Sequence, residues 1–356
     1  MRVRRLIGAM TPALASAVLP ALRRIDPERA HRLALKALRL GLAGRESTPD
    51  DPALACTVLG RTLTNPIGLA AGFDKDAVAV APLMRLGFGA IEVGTVTPRP
   101  QAGNPRPRLF RLEDGAIINR MGMNNHGLSQ FVARLAALPR PAPALLGANV
   151  GINKDGAEPD RDYPNLVAAV GPHADYVTLN VSSPNTAGLR DLQQESRLRA
   201  ILRAVQALPG RPPIFVKIAP DLPPGGLESL VAVAIECGVA GLIISNTTIA
   251  RPAGLRGTHA AETGGLSGPP LMAPSTALLA QAWRLAAGRL TLIGCGGVSS
   301  GRDVLAKLQA GAQFVQLYAA FATHGPALLP RMKAELAVAL RQEGFGNVAE
   351  AVGTRA

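Results

Sequence analysis

The sequence predicts an α/β fold, a (β/α)8 barrel with a small helical extension at its N-terminus. Three observations predict it. About eight short apolar runs have the character of buried strands, Ala/Leu-rich windows of helical length separate most of them, and polar clusters directly follow the strands. This alternation over roughly 290 residues fits a closed TIM barrel better than a doubly wound sheet. A chain of 356 residues has room for one such barrel and an appendage.

Each barrel strand is predicted from a short run rich in apolar and β-branched residues. The predicted strands are Ile67–Ala70, Ala90–Val93, Leu145–Val150, Tyr176–Leu179, Ile214–Ile218, Leu242–Ser245, Leu292–Gly294 and Phe314–Leu317. The predicted helices between and after them are Asp76–Leu86, Pro164–Ala169, Leu198–Ala207, Leu227–Cys237, Ser275–Ala287, Arg302–Ala310 and Ala327–Arg341. Apolar runs on both sides of Gly60-Arg61 predict a hairpin over Cys56–Leu63 that closes the bottom of the barrel.

Two domains are expected, a basic helical unit over residues 1–44 and the barrel over residues 53–345, joined by a polar linker. No apolar run approaches the roughly 18 residues that a membrane-spanning helix needs. The basic, apolar N-terminus has some features of a secretory signal. Pro12 and Pro20 interrupt it, however, and no convincing cleavage site follows, so a cleaved signal is disfavoured.

Within the N-terminal unit, a helix is predicted over residues 27–42, because Asp26 is a good N-cap and Pro27 suits the first turn. Basic residues recur on one face and apolar residues on the other. The basic stripe is Arg29, Arg32, Lys36 and Arg39, and the apolar stripe is His31, Leu35, Leu38 and Leu42. Such a helix could lie on an anionic membrane surface or pack on the barrel, and the pattern does not distinguish the two.

Composition restricts the function classes. The formal net charge is +13, from 38 Lys+Arg against 25 Asp+Glu, which favours anionic partners such as acidic lipids, small acids or phosphates. Nucleic acid is disfavoured, because no basic run is interleaved with aromatic residues and no nucleic-acid motif is found. The cysteines Cys56, Cys237 and Cys295 are odd in number and far apart, which predicts neither a disulfide framework nor a zinc site.

The most informative stretch is Asn180-Val181-Ser182-Ser183-Pro184-Asn185-Thr186, directly after the predicted strand Tyr176–Leu179. Ligands bind at the carboxyl ends of strands in parallel α/β folds. Two asparagines offer hydrogen-bond donors and acceptors suited to a planar, polar ligand. Pro184 ends the strand and places Ser183 on a turn. An ordinary loop rich in Asn, Ser and Pro remains the alternative.

Two further features lie at predicted strand ends. Lys217 sits inside the apolar strand Ile214–Ile218, and because a buried ammonium without a partner is costly, it is expected to face the barrel mouth. The turn Gly294-Cys295-Gly296-Gly297 could hold a phosphate on its backbone N–H groups, or it could be only a tight turn. No carboxylate pair and no metal-ligand cluster is found, so no metal is expected.

Several motifs together resemble the dihydroorotate dehydrogenases, in particular the quinone-linked, membrane-associated class 2. They are Asn65–Lys75, Glu92–Pro100, Asn119–Asn125, Asn180–Thr186, Val216–Asp221, Ser245–Thr248, Gly264–Gly268 and Ile293–Val298. The resemblance implies oxidation of dihydroorotate to orotate, with FMN as hydride acceptor and a quinone as final acceptor, in pyrimidine (UMP) biosynthesis. It also implies that Ser183 is the general base. The related soluble class 1 enzymes have cysteine there and lack the N-terminal helices.

The same resemblance assigns the remaining site residues. FMN would contact Ala71, Gly72, Phe73, Asp74, Lys75, Thr95, Asn149, Asn180, Lys217, Ser245, Gly268, Gly297, Tyr318 and Ala319. The substrate would contact Lys75, Asn119, Arg120, Met121, Gly122, Met123, Asn180, Asn185, Asn246 and Thr247. The quinone path would include His31, Arg111 and Tyr318. Ala319 departs from the family, where Ser or Thr is common, and backbone N–H groups would have to hold the phosphate there.

The resemblance further implies a peripheral membrane protein on the cytoplasmic face of a bacterial inner membrane. Two alternatives stay open. Other FMN barrels, such as dihydropyrimidine or dihydrouridine reductases, use a cysteine as acid, so Ser183 and the helical extension count against them. A non-catalytic, membrane-attached module that binds flavin or phosphate is the other alternative.

Overall fold

Eight parallel strands close into a barrel in the computed structural model, which describes residues 10–356. The strands of the protein are β1 (Cys56–Val58), β2 (Arg61–Leu63), β3 (Ile67–Leu69), β4 (Ala90–Val96), β5 (Leu109–Arg111), β6 (Ile117–Asn119), β7 (Leu145–Val150), β8 (Tyr176–Asn180), β9 (Ile214–Ile218), β10 (Gly241–Ile244), β11 (Gly265–Ser267), β12 (Thr291–Cys295) and β13 (Phe314–Leu317). The barrel order is β3-β4-β7-β8-β9-β10-β12-β13, and β13 pairs with β3 to close it. The predicted fold class is therefore confirmed.

Helices follow most barrel strands and cover the outside of the barrel. They are α1 (Pro12–Ser16), α2 (Leu19–Arg23), α3 (Pro27–Arg39), α4 (Val80–Met84), α5 (Leu128–Ala136), α6 (Pro159–Val170), α7 (Glu195–Gln206), α8 (Gly226–Glu236), α9 (Met272–Ala286), α10 (Gly301–Gln309), α11 (Ala319–His324), α12 (Leu328–Gln342) and α13 (Val348–Ala351). All eight predicted strands and all seven predicted barrel helices correspond to observed elements, with shifted bounds in most cases.

Two helices are shorter than predicted for identifiable reasons. Helix α3 starts as expected, with Asp26 accepting a hydrogen bond from the Arg29 N–H at 2.8 Å, but Gly41 at φ 77° ends it, as left-handed glycines commonly do. The helix predicted from residue 76 begins only at Val80. There the buried Asp74 carboxylate accepts hydrogen bonds from the N–H groups of residues 78 and 79, which holds the preceding turn out of helical geometry.

A three-stranded antiparallel sheet, β5-β6-β11, was not predicted and lies outside the barrel sheet. Each strand has only three residues, too few for a recognisable alternation. The pairing of β6 with β11 joins residues far apart in the chain. This sheet carries Asn119 at the end of β6, so it positions part of the predicted substrate loop.

The hairpin β1-β2 is present over the predicted residues. Its Arg61 contacts Asp175 at 3.4 Å and hydrogen-bonds to the Ala142 carbonyl, and these two partners precede strands β8 and β7. The hairpin therefore lies at the amino ends of the barrel strands, opposite the face where the polar clusters were predicted.

Inside the barrel, a carboxylate replaces part of the apolar filling. Glu92 on β4 is fully buried. Its oxygens accept hydrogen bonds from Asn149 at 2.7 Å, Gln316 at 2.9 Å, and Tyr176 and Thr178 at 3.1 Å. Buried charge is tolerated when it is this fully hydrogen-bonded. The network ties β4 to β7, β8 and β13 across the interior.

Helix α3 is docked on the barrel through a second buried carboxylate. Glu28 accepts hydrogen bonds from both Arg106 and Arg108, with closest contacts of 2.9 Å, and Arg108 is itself buried. Burial alone would raise the pKa of Glu28, but the two arginines hold it below its usual value. Because Glu28 or Arg108 without the other would be a poorly compensated buried charge, this ion pair fixes the position of the helix.

The division into domains at 1–44 and 53–345 stays a prediction. Residues 1–9, the start of the predicted helical unit, lie outside the described residues. From residue 10 onward, no helix combines the length and the apolar character that crossing a membrane requires.

We predict that Glu92→Gln lowers the free energy of unfolding by about 2–4 kcal/mol, because an amide N–H₂ would face donors that now reach a carboxylate oxygen. Urea unfolding followed by circular dichroism measures this. Glu228→Gln, at an exposed position near the start of α8, is the control and should change stability by less than about 0.5 kcal/mol. Equal stability of the two variants would contradict the assigned role of the network.

Candidate active site

A cavity of about 890 Å³ opens at the carboxyl ends of the barrel strands and continues beneath helices α1 to α3. Its inner part is lined by asparagine, serine, lysine and glycine residues, and its outer part by alanine and leucine side chains of the N-terminal helices. The cavity therefore has a polar end and an apolar end, which suits two different ligands.

Most predicted site residues line this one cavity. Those predicted to bind the cofactor are Ala71, Gly72, Phe73, Lys75, Thr95, Asn149, Asn180, Lys217, Ser245, Gly268, Gly297, Tyr318 and Ala319. Those predicted to bind the substrate or act as base are Asn119, Met121, Gly122, Met123, Ser183, Asn185, Asn246 and Thr247. His31 and Arg111 line it at the apolar end.

Asp74 and Arg120 are not on the cavity wall. The Asp74 carboxylate is turned into the loop before α4, where burial raises its pKa. The Arg120 guanidinium lies 2.7 Å from Glu262 and stacks over the Phe110 ring at 4.6 Å. Both side chains thus stabilise the loops around the cavity. Sequence position alone does not distinguish a residue in a motif from a residue whose side chain faces the ligand.

A continuous chain of hydrogen bonds orients the amides at the inner end of the cavity. It begins at Glu92, which accepts a hydrogen bond from the Asn149 side-chain amide. The Thr95 hydroxyl donates to the Asn149 side-chain oxygen Oδ1 at 2.5 Å. Asn180 then donates to the Thr95 oxygen at 3.0 Å. Each amide is therefore held in one orientation, and its remaining polar atoms are set before any ligand binds. Glu92 was not predicted as a site residue, although a glutamate inside the apolar strand Ala90–Val93 is as conspicuous as a lysine there.

Asn180 and Asn246 are joined through Ser182. The Asn246 amide donates to the Ser182 hydroxyl at 3.0 Å and to the Asn180 side-chain oxygen Oδ1 at 3.3 Å. Ser183, the next residue, is nearly buried, and its hydroxyl oxygen accepts the Asn185 N–H at 3.3 Å. Between residues 10 and 356, no carboxylate or imidazole is hydrogen-bonded to the Ser183 hydroxyl.

A second amide pair lies at the mouth of the cavity. The Asn185 side-chain amide donates to the Asn119 side-chain oxygen Oδ1 at 3.2 Å. Asn104 supports this pair from outside by donating to the backbone carbonyls of Asn185 and Arg120, both at 3.1 Å. Asn104 lies in a loop rich in proline and arginine, and the sequence offered no signal for its role.

Two lysines bring positive charge to the polar end. Lys217 on β9 is only 5% exposed, and within the described part of the chain its ammonium has neither an ion pair nor a hydrogen bond. Lys75 donates to the Gly72 carbonyl at 3.0 Å, and burial, with a smaller contribution from Arg108, lowers its pKa to about 8. Because unpaired buried charge is costly, this end is suited to anionic ligands.

The glycine turns form the opposite side of the polar end. A Cβ atom on Gly297 would lie 2.3 Å from the Met272 Cα, and one on Gly268 would lie 2.8 Å from the Gly115 carbonyl oxygen. The Gly297 N–H finds no acceptor among the described residues. Protein backbone therefore packs so closely on these two glycines that a larger residue would displace it. The unpaired Gly297 N–H is a backbone donor of the kind that binds phosphate.

Aromatic residues separate the polar end from the apolar end. His31 packs edge-on against Phe73, with ring centroids 5.0 Å apart, and Tyr318 lies 5.7 Å from Phe73. Burial lowers the pKa of His31 to about 4 and raises that of Tyr318 to about 12. Arg111 donates to backbone carbonyls of residues 23 and 25 at 3.0 Å, which anchors the segment that enters α3.

Fold and site together define a (β/α)8-barrel protein in which one cavity joins an amide-lined, cationic end to an apolar end. Among the described residues, no group of His, Cys, Asp and Glu side chains could hold a metal ion. The chain belongs to the dihydroorotate dehydrogenase family, since the model described as "Dihydroorotate dehydrogenase" matches residues 53–340.

Named relatives agree with this assignment. The chain is 54% identical over 346 residues to dihydroorotate dehydrogenase (quinone) of Cereibacter sphaeroides, covering 96% of this chain and 97% of the relative. It is 50% identical over 350 residues to the mitochondrial quinone enzyme of Mus musculus, covering 94% and 89%. A crystal structure of DHODH from Eimeria tenella in complex with ferulenol superposes with a TM-score of 0.89 at 40% identity, covering 95% of this chain and 98% of that one. These matches confirm the class 2 resemblance.

We predict that His31 stays neutral from pH 8 to about pH 5, since its pKa lies near 4 in the folded protein against 6.5 in an open chain. The unfolded chain then binds more protons between these values, so His31 reduces the free energy of unfolding as the pH falls from about 6.5 to 4. An NMR titration of the imidazole carbons measures this, with His31→Gln identifying the signal. A His31 midpoint near 6.5 would refute the burial argument.

Proposed function

We propose that this protein oxidises dihydroorotate to orotate with FMN as the hydride acceptor and passes the electrons to a membrane quinone, in pyrimidine biosynthesis. The main support is that one continuous cavity joins an amide-lined, cationic end at the barrel mouth to an apolar end beneath the N-terminal helices. Membership of the quinone-linked family supports the same assignment.

The residues at the inner end suit FMN. The unpaired N–H of Gly297 would donate to its phosphate, beside the tightly packed turn at Gly268. Asn149 and Asn180 would hold polar edges of the flavin ring. Lys217 would place its unpaired positive charge beside that ring, which favours electron density on it. When bound, FMN supplies the two-electron acceptor for the hydride.

The residues at the mouth suit a pyrimidine acid. Its edge alternates carbonyl and N–H groups, and the amides of Asn119, Asn185 and Asn246 offer the complementary donors and acceptors. Lys75 would face its carboxylate. Binding of that anion would raise the pKa of Lys75 from about 8, because a neighbouring negative charge favours the ammonium form.

Ser183 would be the general base that removes the C5 proton while the hydride leaves C6. A serine hydroxyl is a weak base, so it must pass the proton onward as it receives one. Because no carboxylate or imidazole is hydrogen-bonded to it in the described structure, water is the acceptor that we propose. Oxidation of dihydroorotate to orotate removes two hydrogens: the C5 hydrogen leaves as a proton to water, and the C6 hydrogen leaves as a hydride with two electrons.

The apolar end suits a quinone, and the surface around it suits a lipid bilayer. Among residues 10–356, every large apolar residue that is strongly exposed lies between residues 14 and 42, apart from Ile249 and Val338. Arg23 on α2 and Arg29, Arg32 and Arg39 on α3 lie in the same part of the chain. Peripheral attachment through α1 to α3 would therefore bury apolar side chains and bring the channel mouth to the membrane where quinones are dissolved.

An absorbance spectrum of the purified protein before and after anaerobic addition of dihydroorotate tests this proposal. A flavin spectrum that bleaches with dihydroorotate supports the enzyme. A flavin spectrum that does not respond would instead support a flavin-binding module without this activity. Protein that is colourless and does not take up FMN would exclude both.

We predict that Ser183→Ala retains flavin but reduces the rate of flavin reduction by dihydroorotate about 10²–10⁴-fold, the usual contribution of a general base. Stopped-flow absorbance under anaerobic conditions measures this step without the quinone. Ser182→Ala is the matched control, because that hydroxyl is hydrogen-bonded to Asn180 and Asn246 and is not the proposed base, so its loss should cost much less. Near-normal reduction in Ser183→Ala would exclude its role as base.

We predict that Ala34→Trp fills the apolar end of the cavity, which Ala34 lines, and raises the KM for quinone while flavin reduction by dihydroorotate persists. Leu33→Trp is the control, because Leu33 is 50% exposed and points away from the cavity. Steady-state assays with a short-chain quinone in detergent measure the KM for quinone, and anaerobic stopped-flow absorbance measures flavin reduction alone. If both variants reduce quinone equally well, the channel does not lie between these helices.

A further inference from the structure

One buried lysine is not explained by the proposed chemistry. Lys307 on α10 is fully buried. Lys333 on α12 is also buried, but it forms an ion pair with Asp50 at 2.6 Å. Within residues 10–356, Lys307 forms no ion pair, and the hydroxyl of Ser275, at 2.6 Å, is the one hydrogen-bond acceptor of its ammonium. A chain that retains an ammonium in its interior without a carboxylate must compensate the charge in another way.

The position of Ser275 indicates where the charge of Lys307 acts. The Ser275 hydroxyl lies 2.6 Å from the Leu271 carbonyl oxygen, 3.2 Å from that of Met272 and 3.1 Å from that of Gly296. It can give its single proton to one of the three. It therefore joins the ammonium to the start of α9 and to the glycine turn that lines the cavity.

The orientation of one peptide bond links Lys307 to the cavity. In a trans peptide the C=O of one residue and the N–H of the next point in opposite directions. Because the Gly296 carbonyl faces Ser275, the Gly297 N–H faces away from it, on the side where the cavity lies. That N–H has no acceptor among the described residues. The Lys307 ammonium thus lies behind a peptide dipole whose positive end is directed at the proposed phosphate position.

We infer that Lys307 is a positioning residue for the phosphate of the flavin nucleotide, acting through Ser275 and the Gly296–Gly297 peptide without touching the phosphate. Its charge favours a dianionic ligand over a neutral one at the glycine turn. The inference rests on the proposed function, since it requires that FMN binds in this cavity. It predicts that the protein discriminates between FMN and riboflavin, which lacks the phosphate, partly through a residue outside the cavity wall.

Burial is consistent with this role. It lowers the pKa of Lys307 to about 7, and the two titratable neighbours that oppose the shift are Cys295 and Asp303. A lysine whose pKa is close to neutral pH changes its degree of protonation when a charge is added nearby. A phosphate dianion would favour its protonated form. If Lys307 were only a packing residue, its pKa would be the same whether or not the bound flavin carries a phosphate.

The test is an exchange experiment on the flavin-loaded protein. Riboflavin is added to the FMN-loaded protein, and the ratio of riboflavin to FMN that displaces half of the bound FMN is measured from the protein-bound fraction. Lys307→Met removes the charge and keeps a linear side chain. We expect the ratio to fall about tenfold to a hundredfold, the size of one charge–charge interaction across several ångströms of protein.

Lys333→Met is the matched control. It also removes a buried lysine, and it breaks an ion pair, so it should reduce stability while leaving the exchange ratio unchanged. An unchanged ratio in Lys307→Met, or an equal fall in both variants, would overturn the inference. Wild-type protein that retains neither flavin would contradict the proposed function itself, which is a different outcome from either of these.

A measurement on unmodified Lys307 decides the matter if Lys307→Met does not fold. In protein labelled with ¹³C at the lysine ε-carbons, Lys307 is identified through Ser275→Ala, which removes its hydrogen-bond partner. We expect its pKa to be higher by about one unit or more with FMN bound than with riboflavin bound, the equivalent of a tenfold preference. Identical titration in the two complexes would overturn the inference.

Discussion

The buried carboxylate of Glu92 is the interaction on which the site depends. It accepts hydrogen bonds from side chains on three other barrel strands, and no lysine or arginine forms an ion pair with it in the part of the chain that the structure covers. Its charge is therefore balanced by dipoles alone, and every donor must stay in place. Asn149 is one of these donors, so the same carboxylate that holds the interior together also orients the first amide of the cavity and, through Thr95, the next.

The cavity combines two environments because two different layers of the protein build it. Barrel strands provide the rigid, polar end, where amides and ammonium groups converge. Helices α1 to α3 provide the apolar end and are held by the Glu28 ion pairs and by Arg111. The aromatic cluster of His31, Phe73 and Tyr318 lies where the layers meet. A reaction that takes electrons from a water-soluble acid and delivers them to a lipid-soluble acceptor needs this division.

Residues with a local signal were predicted well, and residues with a remote partner were not. Lys217 was expected to face the cavity because a lysine in an apolar strand is conspicuous, and it does so. Lys307 lies in an ordinary amphipathic helix, so its burial against Ser275 was not visible. Asn104 was missed because its partners are remote in the chain. Glu92 was missed although it lies in an apolar strand, because its partners on β7, β8 and β13 were not visible. Conversely, Asp74 and Arg120 belong to recognisable motifs, yet their side chains stabilise loops and do not reach the cavity.

The sequence by itself determined the barrel, the order of its strands along the chain and the polar groups at their carboxyl ends, because periodicity and strand-end chemistry are local properties. Only the tertiary structure decided which amides are joined to one another, which carboxylates carry the charge balance, and how the N-terminal helices close the apolar end. These depend on contacts between residues far apart in the chain, such as Glu92 with Gln316, and no local pattern specifies which partners burial will bring together.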